Sequence, residues 1–245
     1  MKISRTIMLS EKTRQEILSF LHSHDLVQLY QEYDWDEDNW KTGFKKILEL
    51  ETQTSRAAMN NVIGYEHVMA IAKWGAHRNL GKIQCATPIN LSIYTNNQPA
   101  SWIESDPTRP LALLRPQIKY YGPTYFSKLL RFCMPGEYGA IDSRLVRVFG
   151  EGDPNNRKAR FLSLRVILES SWSIPERQSG WPSEYGTWTN ILRFMAEFLN
   201  ESQIKCPHPD VFYQNGLREP GIWLCADVEM ALFSYVTQSI YGKKR

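Results

Sequence analysis

No stretch of this 245-residue chain approaches the run of about 18 apolar residues that a membrane-spanning helix needs, so no membrane association is expected. Met1 to Ser10 lacks the long apolar core of a secretory leader. Cysteine is sparse. The four, at positions 85, 133, 206 and 225, form no C-x-x-C pair, which argues against a zinc site or an iron–sulfur loop and leaves no metal expected. Dispersed thiols in a chain of this size read as reduced, and a cytoplasmic location is expected. Charge of one sign is also lacking. A net charge of +3 permits a nucleic-acid partner without requiring one. Internal repeats and low-complexity tracts are absent, and strand-like alternation is scarce.

What remains is helical pattern. Ser10 suits the N-cap of a helix over 11–23, with Ile17, Leu18, Phe20 and Leu21 on its apolar face. The acids Glu32, Asp34, Asp36, Glu37 and Asp38 suit the start of a second helix carrying Trp40, Phe44, Ile47 and Leu48. They would repel a phosphate backbone, so this end is expected to lie away from any DNA. A helix fits 65–77. Residues 79–109, rich in Asn, Pro, Gly, Ser and Thr, read as a long irregular connection with a short strand at 89–94. Helical spacing returns at 110–118, 123–133, 143–149, 158–170, 187–200 and 224–239. The expectation is one mainly α domain over 1–245.

Chemistry concentrates in two segments. In Ile118-Lys119-Tyr120-Tyr121-Gly122-Pro123-Thr124-Tyr125, glycine permits a tight turn and proline opens a helix without losing a hydrogen bond. Phe126, Leu129, Leu130 and Cys133 then form one stripe, and Thr124, Lys128 and Arg131 a second, basic one. The free N–H groups at such a helix start suit a phosphate. Preceded by a helix over 110–115, the segment reads helix, short connection, helix, which an ordinary αα-hairpin would also give. The second segment is Asp142-Ser143-Arg144-Leu145-Val146-Arg147-Val148-Phe149-Gly150. There Asp142 caps a helix that Gly150 closes.

Taken together, residues 110–150 resemble the helix-hairpin-helix superfamily of base-excision DNA glycosylases, in its 8-oxoguanine glycosylase-like branch. The resemblance rests on a hairpin ending in Gly122, on Asp142 eighteen residues after Thr124, and on the pattern Asp-x-x-(Val/Ile)-x-Arg-Val, in whose places stand Asp142, Leu145, Arg147 and Val148, leucine taking the Val/Ile position. Two departures stand out: the hairpin has one glycine where many members have two, and the position of the family's nucleophilic lysine holds Thr124.

The resemblance implies a helix-hairpin-helix glycosylase fold and an N-glycosylase that removes a damaged or modified base, probable substrate a purine, from duplex or single-stranded DNA. No cofactor and no particular protein partner are implied. Asp142 would stabilise the sugar cation or activate water. Lys119, Tyr121, Gly122, Thr124, Lys128 and Arg144 would contact DNA, and Tyr120 and Tyr125 would flank the base. Without the family lysine the enzyme is expected to lack lyase activity. Lys128, one turn after Thr124, is the nearest substitute amine, and it is expected to be a phosphate or surface lysine instead. The alternative is a glycosylase-fold protein that binds DNA or a nucleobase or nucleotide without catalysis, as in accessory proteins of bacterial antiviral defence.

Overall fold

A computed structural model of the chain describes residues 9–242, so the reading of Met1 to Ser10 falls largely outside the described residues. Ten α-helices span those residues: α1 Glu11–Ser23, α2 Leu26–Gln31, α3 Lys45–Met59, α4 Tyr65–Trp74, α5 Arg109–Gln117, α6 Gly122–Cys133, α7 Ser143–Phe149, α8 Ser183–Glu201, α9 Asp210–Gln214 and α10 Cys225–Tyr241. The sheet content is four antiparallel pairs of two-residue strands. Two of these pairs matter for the site. The first is the hairpin of β1 (Asp34–Trp35) with β2 (Asp38–Asn39); the second pairs β3 (Gln84–Cys85) with β4 (Ile118–Lys119). The protein is mainly α. No helix among the described residues is long and apolar enough to cross a membrane.

Caps set several boundaries. The Ser10 side chain accepts from the Thr13 amide, Asp25 from Gln28, and Asp142 from Leu145, each filling one of the donors that a helix start leaves open. At the centre, α6 packs against α3 and α4, while α10 packs against α2, α7 and α8. From Phe126 to Cys133 every residue of α6 is buried, including Ser127, Lys128 and Arg131. An all-round buried helix belongs to the middle of a core. The expected division of α6 into an apolar and a solvent-facing basic stripe is therefore wrong, because α10 and the β1–β2 hairpin cover the second stripe.

Two other expectations change. Residues 158–170 are not helical. The amides of Lys158, Phe161 and Leu162 bond to the carbonyls of Val148 and Phe149, and Leu162, Leu164 and Val166 alternate inward along an extended segment. The acidic stretch forms the β1–β2 hairpin, with Asp36 at φ 55° in the turn, and only Asp38 reaches a helix start. Its Oδ1 accepts from the amides of Lys46 and Ile47 at 2.8 and 3.3 Å, at the beginning of α3.

Candidate active site

Asp142 arrives at the site on a clamped loop. The Ser127 hydroxyl donates within α6 to the Thr124 carbonyl at 2.8 Å and accepts from the Ile141 amide at 3.0 Å. Tyr185 Oη donates to the Gly139 carbonyl at 3.1 Å, and Trp188 Nε1 to the Ala140 carbonyl at 2.9 Å. Three consecutive residues are thus fixed from α6 and α8, and Asp142, half-buried, is held by its own capping bond of 3.0 Å to Leu145. A carboxylate held this firmly needs no reorganisation to meet a developing positive charge.

Within electrostatic reach of this carboxylate is a buried amine. The Lys128 side chain is only 7% exposed, and among the described residues its Nζ makes no hydrogen bond or ion pair. Three rings surround it: Trp74 at 4.9 Å, Trp35 at 5.2 Å and Tyr125 at 5.3 Å from Nζ to the ring centre. Burial drives the Lys128 pKa down to about 8. The nearby Asp142 and Glu229 oppose that shift, and Arg144 and Arg131 add to it. Lys128 is thus neither a surface lysine nor placed to hold a phosphate. Arg144 covers Trp35 as well, its guanidinium 4.9 Å from the ring centre. Trp35 is tied down by donation from its Nε1 to the Trp74 carbonyl at 3.0 Å, and Trp74 by donation to the buried Asp38 at 2.7 Å. The acidic hairpin, whose acids were expected to start a helix, thus supplies one of the rings that cover the amine.

Gly75, after α4, makes room for the amine. A Cβ there would stand 2.8 Å from Lys128 Nζ and 2.8 Å from Tyr125 Cε1. The Lys128 amine can swing aside, but the Tyr125 ring is held by its bond to the Gly75 carbonyl and the Ile71 carbonyl oxygen would lie 3.2 Å away, so Gly75→Ala is expected to fold with a melting temperature lowered by about 2–4 °C. The displaced amine should react with a small aldehyde roughly tenfold or more slowly. Mass spectrometry of the Lys128 peptide after reductive methylation reads this directly, and an unchanged rate would mean that the glycine is not there for the amine.

The hairpin side looks different. α5, the connection 118–121 and α6 form a helix–turn–helix unit, with Tyr120 at φ 61° and Gly122 at φ 72° making the turn. Beside it opens a cleft of about 650 Å³, lined in part by His77, Lys82, Arg115, Lys119, Tyr120 and Gly122. Lys119 and Tyr120 are exposed, and α6 has no side-chain cap to occupy its first amides. Arg115 is paired with Glu176 at 2.7 Å. Thr124 is half-buried at the first turn of α6. Tyr121 is a correction to the expected exposed contact residue: it lines the back of the cleft but is 2% exposed, and its hydroxyl donates to the Val68 carbonyl, so its side chain packs in the core. Tyr125 is half-buried, bonded to the Gly75 carbonyl at 2.7 Å and packed on His77.

Behind the amine runs a buried chain of charge that the sequence reading missed. Arg131 Nη1 lies 2.6 Å from Glu51 Oε1, an ion pair by distance whose N–H is not aimed for a hydrogen bond. Arg218 donates to Glu51 at 2.8 and 3.1 Å and to Asp227 at 3.0 and 3.1 Å. Arg131 Nε is 3.8 Å from Glu229. Cys206, His208 and Asp227 also converge, with one ligand atom of each within 4.8 Å of the others. Asp227 already serves Arg218 and the Leu224 amide, and burial pushes the Cys206 thiol far up, so this donor set suits packing better than an ion. A second cavity of about 390 Å³, beside Arg56, Tyr94 and Glu137, holds none of the residues singled out above.

No family model, curated protein or solved structure matches this chain.

Proposed function

We propose that the chain is a DNA N-glycosylase of helix-hairpin-helix type, with Lys128 and Asp142 as its reacting pair. The observation that carries this reading is the Lys128 amine, buried among Trp35, Trp74 and Tyr125 without a hydrogen-bond or ion-pair partner and within electrostatic reach of Asp142, burial lowering its pKa to about 8. An amine near pH 8 has a substantial neutral fraction under ordinary conditions, which a nucleophile requires. The target base first leaves the stack, at a cost of a few kcal/mol. Lys128 Nζ then bonds to C1′ of the sugar. The C1′–N bond breaks, its electron pair leaves on the base, and the base takes one proton from the amine. Ring opening gives a protonated Schiff base, with O4′ taking a proton from water. Asp142 offsets the positive charge that builds on the sugar. This reading replaces the expectation of an enzyme without lyase activity. That expectation depended on Lys128 staying charged beside a phosphate.

The test is a panel of duplex and single-stranded oligonucleotides carrying different modified bases, oxidised purines first, scored for base release and for borohydride trapping. The parent is expected to give a covalent adduct that Lys128→Gln abolishes. Base release without any adduct would remove Lys128 from the chemistry and leave Asp142 with water. In the same assays Lys119→Ala is expected to lower the slope of log affinity against log salt by about 0.9, as loss of one phosphate contact does, whereas Lys128→Ala leaves the slope unchanged. An unchanged slope for Lys119→Ala would take that lysine off the DNA.

One observation favours the second reading, a protein that binds a nucleobase or nucleotide without catalysis. Asp34, Asp36 and Glu37 are exposed on the hairpin that carries Trp35, so the rim beside the amine is anionic. Calorimetric binding of a free nucleobase, with no base released from any oligonucleotide, would establish that reading.

A further inference from the structure

The cleft of about 650 Å³ beside the turn between α5 and α6 holds groups that the chemistry at Lys128 leaves unused. Tyr120 lines it, 64% exposed, on a backbone at φ 61°. Few residues with a bulky side chain adopt that conformation, and those that do collect at ligand sites. The mounting of the ring is rigid. Lys119 pairs with Gln84 and Ile118 with Cys85 across β3 and β4, the Ala86 amide extends the ladder to the Gln117 carbonyl, and Ile118 is buried. A ring already held in place loses little freedom when a ligand stacks on it.

The cleft also offers positive charge. Lys82 and Lys119 line it, both are exposed, and neither ammonium has an ion-pair or hydrogen-bond partner among the described residues. Arg115 is already neutralised by Glu176 at 2.7 Å. Two rings join the cleft to the amine. His77 lines the cleft and lies 4.4 Å from Tyr125 between ring centres, and the Tyr125 ring centre is 5.3 Å from Lys128 Nζ.

We propose, resting on the reading that this chain acts on nucleic acid, that the cleft takes an unpaired nucleotide of a single strand, its base stacked on Tyr120 and its phosphates met by Lys82 and Lys119. Stacking on a side chain needs a base with an uncovered face, and a paired base inside a duplex has none. A duplex binder gains its affinity from many phosphate contacts, and a net charge of +3 with two uncompensated lysines in the cleft supplies few. An exposed ring beside a small number of cations is instead the composition of a single-strand groove. With His77 and Tyr125 between the cleft and the amine, the nucleotide on Tyr120 is a neighbour of the target and not the target itself.

The probe is a short fluorescein-labelled oligonucleotide of mixed sequence, alone and annealed to its complement, titrated with the full chain by anisotropy at one salt concentration. The parent is expected to bind the single strand more tightly than the duplex. Tyr120→Asn removes the ring and suits the backbone, because asparagine tolerates φ above zero. It is expected to weaken single-strand binding at least about fivefold, the loss of one stacked base, and to change duplex binding less than about twofold. Tyr120→Phe keeps the ring and is expected to bind within about twofold of the parent. Should Tyr120→Asn fail to fold, Tyr120→Gly makes the same comparison. No single-strand binding by the parent, tighter binding of the duplex, equal losses on the two probes or no loss in Tyr120→Asn would each overturn the proposal. Tyr120-dependent binding without base release from any oligonucleotide would sink the glycosylase reading and leave this one standing. Base release from a duplex, with Tyr120→Asn as active as the parent, would do the reverse.

Discussion

Asp142→Asn is expected to lose base release by at least about a hundredfold while melting close to the parent. The two effects separate because the residue has two roles. As the N-cap of α7 it accepts from the Leu145 amide, and an asparagine carbonyl does the same with little loss. As a carboxylate it would, under the proposed function, meet the positive charge on the sugar, and there the neutral amide offers no charge. The loop before it stays clamped by Ser127, Tyr185 and Trp188, so the side chain still points into the site. Initial rates on the best oligonucleotide of the panel, with thermal melts alongside, measure both. An asparagine variant that releases base as fast as the parent would leave Asp142 only its capping role.

The largest expected effect on stability lies behind the site. Arg218→Met should cost about 3–5 kcal/mol, the usual result of removing one partner from a buried ionic cluster. Arg218 is fully buried between Glu51 and Asp227, and both carboxylates would be left with less compensation inside the core. Arg131 would still reach Glu51, but Asp227 would keep only the Leu224 amide and His208. Urea unfolding at pH 7 reads the loss directly, and a loss below about 1 kcal/mol would mean that the cluster contributes little to the stability of the core.

The elements that the sequence made legible are those whose causes are local. Ser10 before Glu11, Gly122-Pro123, and Asp142 before a run closed by Gly150 specify helix boundaries from within a few residues, and α1, α6 and α7 begin where these signals place them. Asp142 was legible for the same reason. The environment of Lys128 was not. On a helical wheel it falls with Thr124 and Arg131 on what reads as a wet, basic face. What dries that face is Trp35, Trp74 and Glu229, brought in from a hairpin and two other helices that no local pattern connects to α6. Tyr121 erred the other way, an aromatic beside a polar turn that proved to belong to the core. The segment 158–170 carried a usable signal that was passed over: Leu162, Leu164 and Val166 repeat every second residue, the period of an extended chain.

The chain of buried pairs has a consequence for how the protein is made. Arg218 fastens α3, through Glu51, to α10, through Asp227, so elements from the two ends of the chain close on each other around α6. Synthesis from the N-terminus delivers Lys128 and Asp142 well before α10 exists. Until that helix docks, Arg131 lacks Glu229 and the pair of Arg218 with Asp227 cannot form. A ribosome-stalled fragment ending before residue 225 would carry Lys128 and Asp142 together with the rings that cover the amine, but not the clasp that fastens α3 to α10.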